Sequence, residues 1–272
     1  MRGPGGRFPS AGASRMLGPT MMDPAIQATF EASLDAVRRG EAAGFAARFT
    51  PGAEGFCSLA GDVAGAGGFG AALEAARRRL PDLEVAPVRT YGEGPELAAR
   101  LRLEAGGRAA EAVWAFRFDP AGRIERLVCL WDPAELLAAE SATLPPAAAE
   151  AVASYFRTYN AGDEDAHMAL ISPELVYFGA VSRMTAEGLE TARGIFRSAR
   201  TRMGLKRFEA LRIFGTGPHL AVRVAIHGEG PAGPTEEGIW AFRLDDRGRF
   251  DRVSILWNPG TFLTWPGGRA SA

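Results

Sequence analysis

Lysine is almost missing from this chain. Of 31 basic residues only Lys206 is a lysine, a compositional bias from which no function follows. Acidic residues number 32, for a formal net charge of −1, so there is no cationic excess to displace counterions from phosphates, and nucleic-acid binding is not expected. Cysteine is scarce as well. Cys57 and Cys129 both fall in the first half among apolar neighbours, whereas a secreted disulfide scaffold shows several cysteines at regular spacing; cytoplasmic residence is the expectation. No apolar run approaches the roughly 18 residues a membrane-spanning helix needs. Histidine is limited to His167, His219 and His227, without the spacing and carboxylate partner of a metal site, so no metal is expected. A phosphate loop, a dinucleotide fingerprint and a serine elbow are all missing, which leaves no cofactor to expect.

What the chain has instead is itself, twice. Residues 114–133, WAFRFDPAGRIERLVCLWDP, return at 240–259 as WAFRLDDRGRFDRVSILWNP, identical at eleven of twenty positions with an offset of 126. Gly92, Gly94, Pro95, Leu97, Ala98 and Arg100 reappear as Gly215, Gly217, Pro218, Leu220, Ala221 and Arg223 at an offset of 123, and Gly40, Pro51 and Phe56 match Gly162, Pro173 and Phe178 at 122. These are two homologous units in tandem. The expected division is a disordered tail at 1–22, with Met16, Met21 and Met22 all possible initiators, a first domain at 23–136, a linker at 137–146, a second domain at 147–265 and a tail at 266–272. The Leu137–Pro146 stretch, LAAESATLPP, ends in a proline pair that stops any incoming helix.

Each half reads as helices followed by strands. Ile26, Phe30, Leu34 and Val37, and later Val152, Tyr155, Phe156 and Tyr159, recur at helical spacing. A short second helix ending at Pro51 or Pro173 and a third near Phe69–Leu80 or Leu189–Met203 follow. Strands are expected at Arg100–Leu103, Ala112–Phe118 and Leu127–Trp131, and at Arg223–His227, Gly238–Leu244 and Val253–Trp257, with hairpin turns DPAGR and DDRGR.

Asn160-Ala161-Gly162-Asp163, Ser172-Pro173-Glu174-Leu175-Val176 and the hairpin FRLDDRGRFDRVSILW make both halves resemble the SnoaL-like and nuclear transport factor two-like family. The resemblance implies an α+β fold of two tandem cone-shaped domains, each with three helices wrapped by a curved antiparallel sheet. Family members include ketosteroid isomerases, polyketide cyclases and epoxide hydrolases as well as proteins that only bind, so the fold alone does not assign a reaction. Carried over position by position, the isomerase base carboxylate falls at Phe56 and Phe178 and its second carboxylate at Trp114 and Trp240. Only its tyrosine is retained, at Tyr155, where the first half has Ser33. The arginine of limonene-type epoxide hydrolases matches Arg223, and Arg100 in the first half, but both of their aspartates are lost, one falling at Cys129 and Ile255. Tandem polyether epoxide hydrolases are similar in architecture only.

By the family's strand parity, Trp114, Phe116, Leu127, Cys129 and Trp131 line the first cone, and Trp240, Phe242, Val253, Ile255 and Trp257 the second, either as core or as a ligand wall. A charge within a strand is expensive unless paired or wet. If Val222, Val224 and Ile226 point toward the other domain, Arg223 and His227 face the cone. The alternative is that Arg100 and Arg223 pair with carboxylates such as Glu111 or Glu237 and hold the domains together. His167 aligns with Phe45 and reads as a packing position; His219 reads as a turn residue. The expected catalytic groups are therefore Tyr155, Arg223 and His227, and the expected substrate-binding residues Tyr177, Phe178, Trp240, Phe242, Ile255, Trp257, Trp114, Trp131 and Arg100. The expected partner is a hydrophobic, oxygenated small molecule, either cyclised or isomerised or merely bound. The second half is expected to be the functional one, and the two domains are expected to pair within one monomeric chain.

Overall fold

Each half opens with a helix whose two ends are written in its residues. The structure, a computed structural model, describes residues 22–92, 95–137, 144–179, 184–202, 205, 207–215, 217–228 and 235–258. The expected tails, apart from Met22, and most of the expected linker lie outside these residues. Helix α1 (Pro24–Arg39) starts at Asp23, whose carboxylate accepts the Ala25 N–H, with Pro24 in the first turn, and stops at Gly40, φ 67°. Helix α5 (Pro146–Ala161) stops in the same way at Gly162, φ 75°. A side chain is strained in this left-handed conformation, which is why glycine recurs there. Ile26, Phe30, Leu34 and Val37, and Val152, Tyr155, Phe156 and Tyr159, form the buried faces.

The first half continues through α2 (Ala42–Ala46), β1 (Phe49–Cys57), β2 (Gly61–Ala64), α3 (Gly65–Arg79), β3 (Glu84–Tyr91), β4 (Glu96–Ala105), β5 (Arg108–Phe118), β6 (Ile124–Leu130) and a single turn, α4 (Pro133–Leu136). The second runs through α6 (Glu164–Ala169), β7 (Ile171–Gly179), β8 (Met184–Glu187), α7 (Leu189–Arg202), β9 (Arg207–Phe214), β10 (His219–His227), β11 (Thr235–Leu244) and β12 (Phe250–Trp257). The six-stranded sheets have the same order, β2-β1-β6-β5-β4-β3 and β8-β7-β12-β11-β10-β9. The α+β fold of two tandem cones is thus as expected, with two refinements. Two strands precede the third helix, and the β1–β6 and β7–β12 pairings are parallel within otherwise antiparallel sheets. Pro51 and Pro173 lie inside β1 and β7, not at a helix end. The ladder register breaks beside them, between Phe49 and Glu54 and between Ile171 and Val176, and such an irregularity tolerates a residue without an N–H.

Pseudo-equivalent arginines fasten the third helix of each half to the end of its first. Arg77 donates to the carbonyls of Val37 and Arg38, and Arg200 to that of Tyr159. Asn160 adds a two-way lock, donating to Phe208 O and accepting from Phe208 N, both at 2.8 Å.

The opposite sheet faces meet each other. Tyr91, Ala98, Val113, Ala115, Val128 and Leu130 of the first sheet pack with Phe178, Phe214, Ala221, Ile239 and Leu256 of the second in one buried cluster. This settles the strand parity, and against the expectation for β10. Leu220, Val222, Val224 and Ile226 fill the second cone, so Arg223 and His227 project from the other face. Arg100 does the same on β4, whose Leu97, Ala99, Leu101 and Leu103 fill the first cone. Among the described residues no helix is long and apolar enough to cross a membrane.

Candidate functional site

The two cones share a wall plan but differ in what fills them. In the first, Phe49 stacks on Phe69 at 4.1 Å and Phe45 meets Phe49 edge-on at 5.0 Å. Only about 70 Å³ remains open, bordered by Trp114, Trp131, Cys57 and Cys129. Aligned through the Arg77/Arg200 and helix-end equivalences, Phe45, Phe49 and Phe69 become His167, Ile171 and Ala192. Two rings are lost outright and a third becomes an imidazole, while Ser33, Val37, Gly55, Leu73 and Val85 of the first half become Tyr155, Tyr159, Tyr177, Phe196 and Phe208, so the aromatic lining is redistributed around the wall. The second cone encloses about 220 Å³, walled by Tyr155 and Tyr159 from α5, His167 from α6, Tyr177 from β7, Ala192 and Phe196 from α7, Phe208 from β9 and Trp240, Ile255 and Trp257 from β11 and β12.

Polar atoms on this wall are few. Burial holds the Tyr155 hydroxyl protonated far above the ordinary tyrosine range, and neighbouring Tyr177 and Tyr159 push the same way. Burial does the same to Tyr177 and Tyr159. His167 lies 4.5 Å from Tyr155, ring to ring. Its Nδ1 is 3.0 Å from Thr158 Oγ1, and burial pushes its pKa down to about 4, so the imidazole is neutral at pH 7. Tyr159 Oη and Trp240 Nε1 are buried with no hydrogen-bond partner among the described residues. Among the described residues no carboxylate lines the cavity, and no group of three or more His, Cys, Asp or Glu is placed to hold a metal ion.

Of the residues expected at a site, Tyr155, Tyr177, Trp240, Ile255 and Trp257 meet at this cavity. Phe242 does not reach it; its ring packs on Tyr155 at 5.1 Å and Phe250 at 4.8 Å within the core. Phe178, alternating with Tyr177, points the other way into the inter-sheet cluster. Trp114 and Trp131 border the smaller first cavity. His227 lies outside, its Nδ1 3.3 Å from Thr235 Oγ1 and its Nε2 3.5 Å from Glu209. Arg100 and Arg223 are likewise corrected to the interface between the halves, because four pseudo-equivalent charges close a ring there. Arg100 donates to Glu237 at 2.9 Å and lies 3.6 Å from Glu111; Arg223 donates to Glu111 at 3.0 Å and lies 3.9 Å from Glu237. Arg212 joins from β9 at 3.1 Å to Glu111, and the Tyr91 hydroxyl donates to Glu237.

Sequence reasoning missed Tyr159, His167, Phe196 and Phe208 as cavity residues. Tyr159 was accessible to it, since a residue four positions after Tyr155 shares the same helix face.

The SnoaL-like domain family matches residues 30–127 and 152–253, most of the chain. No curated relative matches the sequence. Similar solved structures include a protein from Mycobacterium tuberculosis in complex with estradiol-17beta-hemisuccinate, 19% identical with a TM-score of 0.35, which covers 42% of this chain and 96% of its own. A protein of ketosteroid isomerase-like fold from Catenulispora acidiphila, in complex with trimethylamine, is 15% identical with a TM-score of 0.39, covering 46% of this chain and 95% of its own. A cystatin-like fold protein from Methylobium petroleophilum is 17% identical with a TM-score of 0.37, covering 42% and 79%.

Proposed function

The chain belongs to the SnoaL-like domain family, and from that premise we propose that its second cone holds one apolar small molecule carrying a hydrogen-bonding oxygen, while the filled first cone serves as scaffold. One observation carries this reading: Tyr159 Oη, which has no counterpart at Val37 of the first half, is a buried hydroxyl without a partner among the described residues, on a side chain that walls the 220 Å³ cavity beside Trp240, whose Nε1 is unpaired there as is Trp114 Nε1 in the first half. Leaving a polar group buried and unpaired costs about 1–3 kcal/mol. An occupant that accepts from these donors recovers that cost, whereas a purely apolar occupant does not. The volume lies below the roughly 300–1,000 Å³ of drug-sized pockets, which favours a compact molecule or one reaching out past the half-buried Tyr177 and Ile255.

A second reading, catalysis, is favoured by the convergence of Tyr155, Tyr177 and a neutral His167 on the same space. Tyrosine hydroxyls in a water-poor cavity polarise a carbonyl oxygen, and an aromatic wall holds a flexible polyketide-, polyene- or steroid-like chain in a reactive fold. His167, with a pKa near 4, is a weak base, so cyclisation or double-bond isomerisation fits better than epoxide hydrolysis, which needs an activated water that no carboxylate among the described wall residues supplies. The test is titration of the purified chain with alicyclic and aromatic ketones and phenols, followed by tryptophan emission and by product analysis. Saturable quenching that weakens in Tyr159→Phe supports the cavity. Saturable binding untouched by Tyr159→Phe overturns the cavity's assignment as the site, and product formation lost in Tyr155→Phe and Tyr177→Phe while binding persists establishes the catalytic reading.

A further inference from the structure

The only two cysteines of the 272 residues, 72 positions apart in sequence, are direct partners in the parallel β1–β6 ladder, Cys57 opposite Cys129. Residues in register on adjacent strands point to the same face, and both side chains line the first-half cavity beside Trp114 and Trp131. Neighbouring strands lie about 4.8 Å apart, within the roughly 4.4–6.8 Å Cα separation that a disulfide spans. Cys57 is the last residue of β1, followed by a three-residue turn into β2, and the next residue, Ser58, donates its N–H to Cys129 O at 3.0 Å, which holds the two cysteines side by side. The second half has Gly179 opposite Ile255 at the same place, and there the wall bounds the larger cavity. The thiol pair therefore belongs to the first half alone and is not required by the shared fold.

We propose that Cys57 and Cys129 are a modification site: a dithiol that a hydroperoxide oxidises to an intramolecular disulfide across β1 and β6. The two thiols divide the work by exposure. Cys57 is half-buried and reachable from solvent, whereas Cys129 is buried, and burial, then the neighbouring Cys57 thiol, hold it protonated. The Cys57 thiolate attacks the terminal oxygen of the peroxide, the O–O bond breaks, and an alcohol or water leaves with the former thiol proton, giving a sulfenic acid. The Cys129 sulfur then attacks the Cys57 sulfur; the S–O bond breaks and hydroxide leaves as water with the Cys129 proton. In sum two thiols lose two electrons and two protons, and the peroxide becomes one alcohol, or water, plus one water.

The experiment treats the full reduced chain, folded, with tert-butyl hydroperoxide, then measures intact mass, maleimide-reactive thiols and mobility on a non-reducing gel. The expected result is a monomer lighter by about two mass units, with both thiols lost together and both recovered by dithiothreitol. Cys57→Ser should keep its Cys129 thiol under the same treatment. Cys129→Ser should yield a sulfenic acid at Cys57 that dimedone captures. Chains cross-linked to one another, Cys57 driven to a sulfinic acid while Cys129 stays free in the unsubstituted protein, or Cys129 oxidised equally fast in Cys57→Ser would each overturn the proposal.

Discussion

Replacing Arg100 or Arg223 by alanine separates a structural arginine from a ligand-binding one, and the ring of charges sets the size of each effect. Arg223→Ala removes one hydrogen bond to Glu111 at 3.0 Å, but Glu111 keeps Arg212 at 3.1 Å and Arg100 at 3.6 Å. Arg100→Ala removes the 2.9 Å bond to Glu237, which is then left with the Tyr91 hydroxyl and Arg223 at 3.9 Å. A hydrogen bond to a charged group contributes about 1.5–3 kcal/mol when well shielded. These side chains are 22–26% exposed, which trims that figure. The expected losses are about 2 kcal/mol for Arg100→Ala and about 1 kcal/mol for Arg223→Ala. At roughly 2–4 °C per kcal/mol for chains of this size, these are melting shifts of roughly 4–8 °C and 2–4 °C. The double variant should fall short of or exceed the sum, because the two share both carboxylates. Calorimetry gives the shifts and ligand titration on the same samples gives the affinity, expected to be unchanged. An Arg223→Ala protein that melts normally yet no longer binds ligand would refute the assignment and return the arginine to the site.

Burial of neutral His167 fixes the sign of a pH dependence. The unfolded chain takes up its proton near pH 6.5 and the folded chain near 4, so the stabilising effect is complete above pH 6.5 and is lost as pH falls toward 4, about 3 kcal/mol over the window. His219, lowered mainly by burial, slopes the same way; His167→Phe should flatten most of the slope in denaturant titrations between pH 7 and 4. Tyr159→Phe removes a buried hydroxyl that lacks a partner and should raise the stability of the empty protein by about 1 kcal/mol while weakening ligand binding; a less stable empty protein would reveal a structural partner for the hydroxyl. Because the sheet faces that could pair two chains are already paired within one, sedimentation should give a monomer at micromolar concentration, and a concentration-dependent dimer would contradict that pairing as sufficient.

Much of the architecture is legible because the repeat marks it twice. Gly40 and Gly162 end the first helices in both copies, and the Trp114–Trp131 and Trp240–Trp257 blocks place equivalent residues on the cone faces. The parity of β10 was not legible, for a physical reason. Leu220 to Ile226 is apolar on both faces except for Arg223, since one face packs on the cone and the other on the opposite sheet. Period-two alternation then carries little information, and one arginine can be read either way. His167 was hidden by its alignment with Phe45, which suggested packing where the second cone has an imidazole on its wall. One difference between the cones, Phe69 against Ala192, lies in the third helices, where sequence similarity is weak and the pseudo-equivalent Arg77 and Arg200 fix the correspondence.

The central claim, one occupied cone and one filled cone, is tested most directly by the stoichiometry of ligand binding in the unsubstituted chain and in Ala192→Phe, which copies the first half's Phe69 into the second cavity. Calorimetric titration with a ligand identified from the ketone and phenol panel should give one molecule per chain, and none for an Ala192→Phe protein that still melts cooperatively, its new ring displacing Tyr177, which stands where Phe69 faces Gly55 in the first half. Two molecules per chain, or one molecule still bound by the filled variant, would contradict the account.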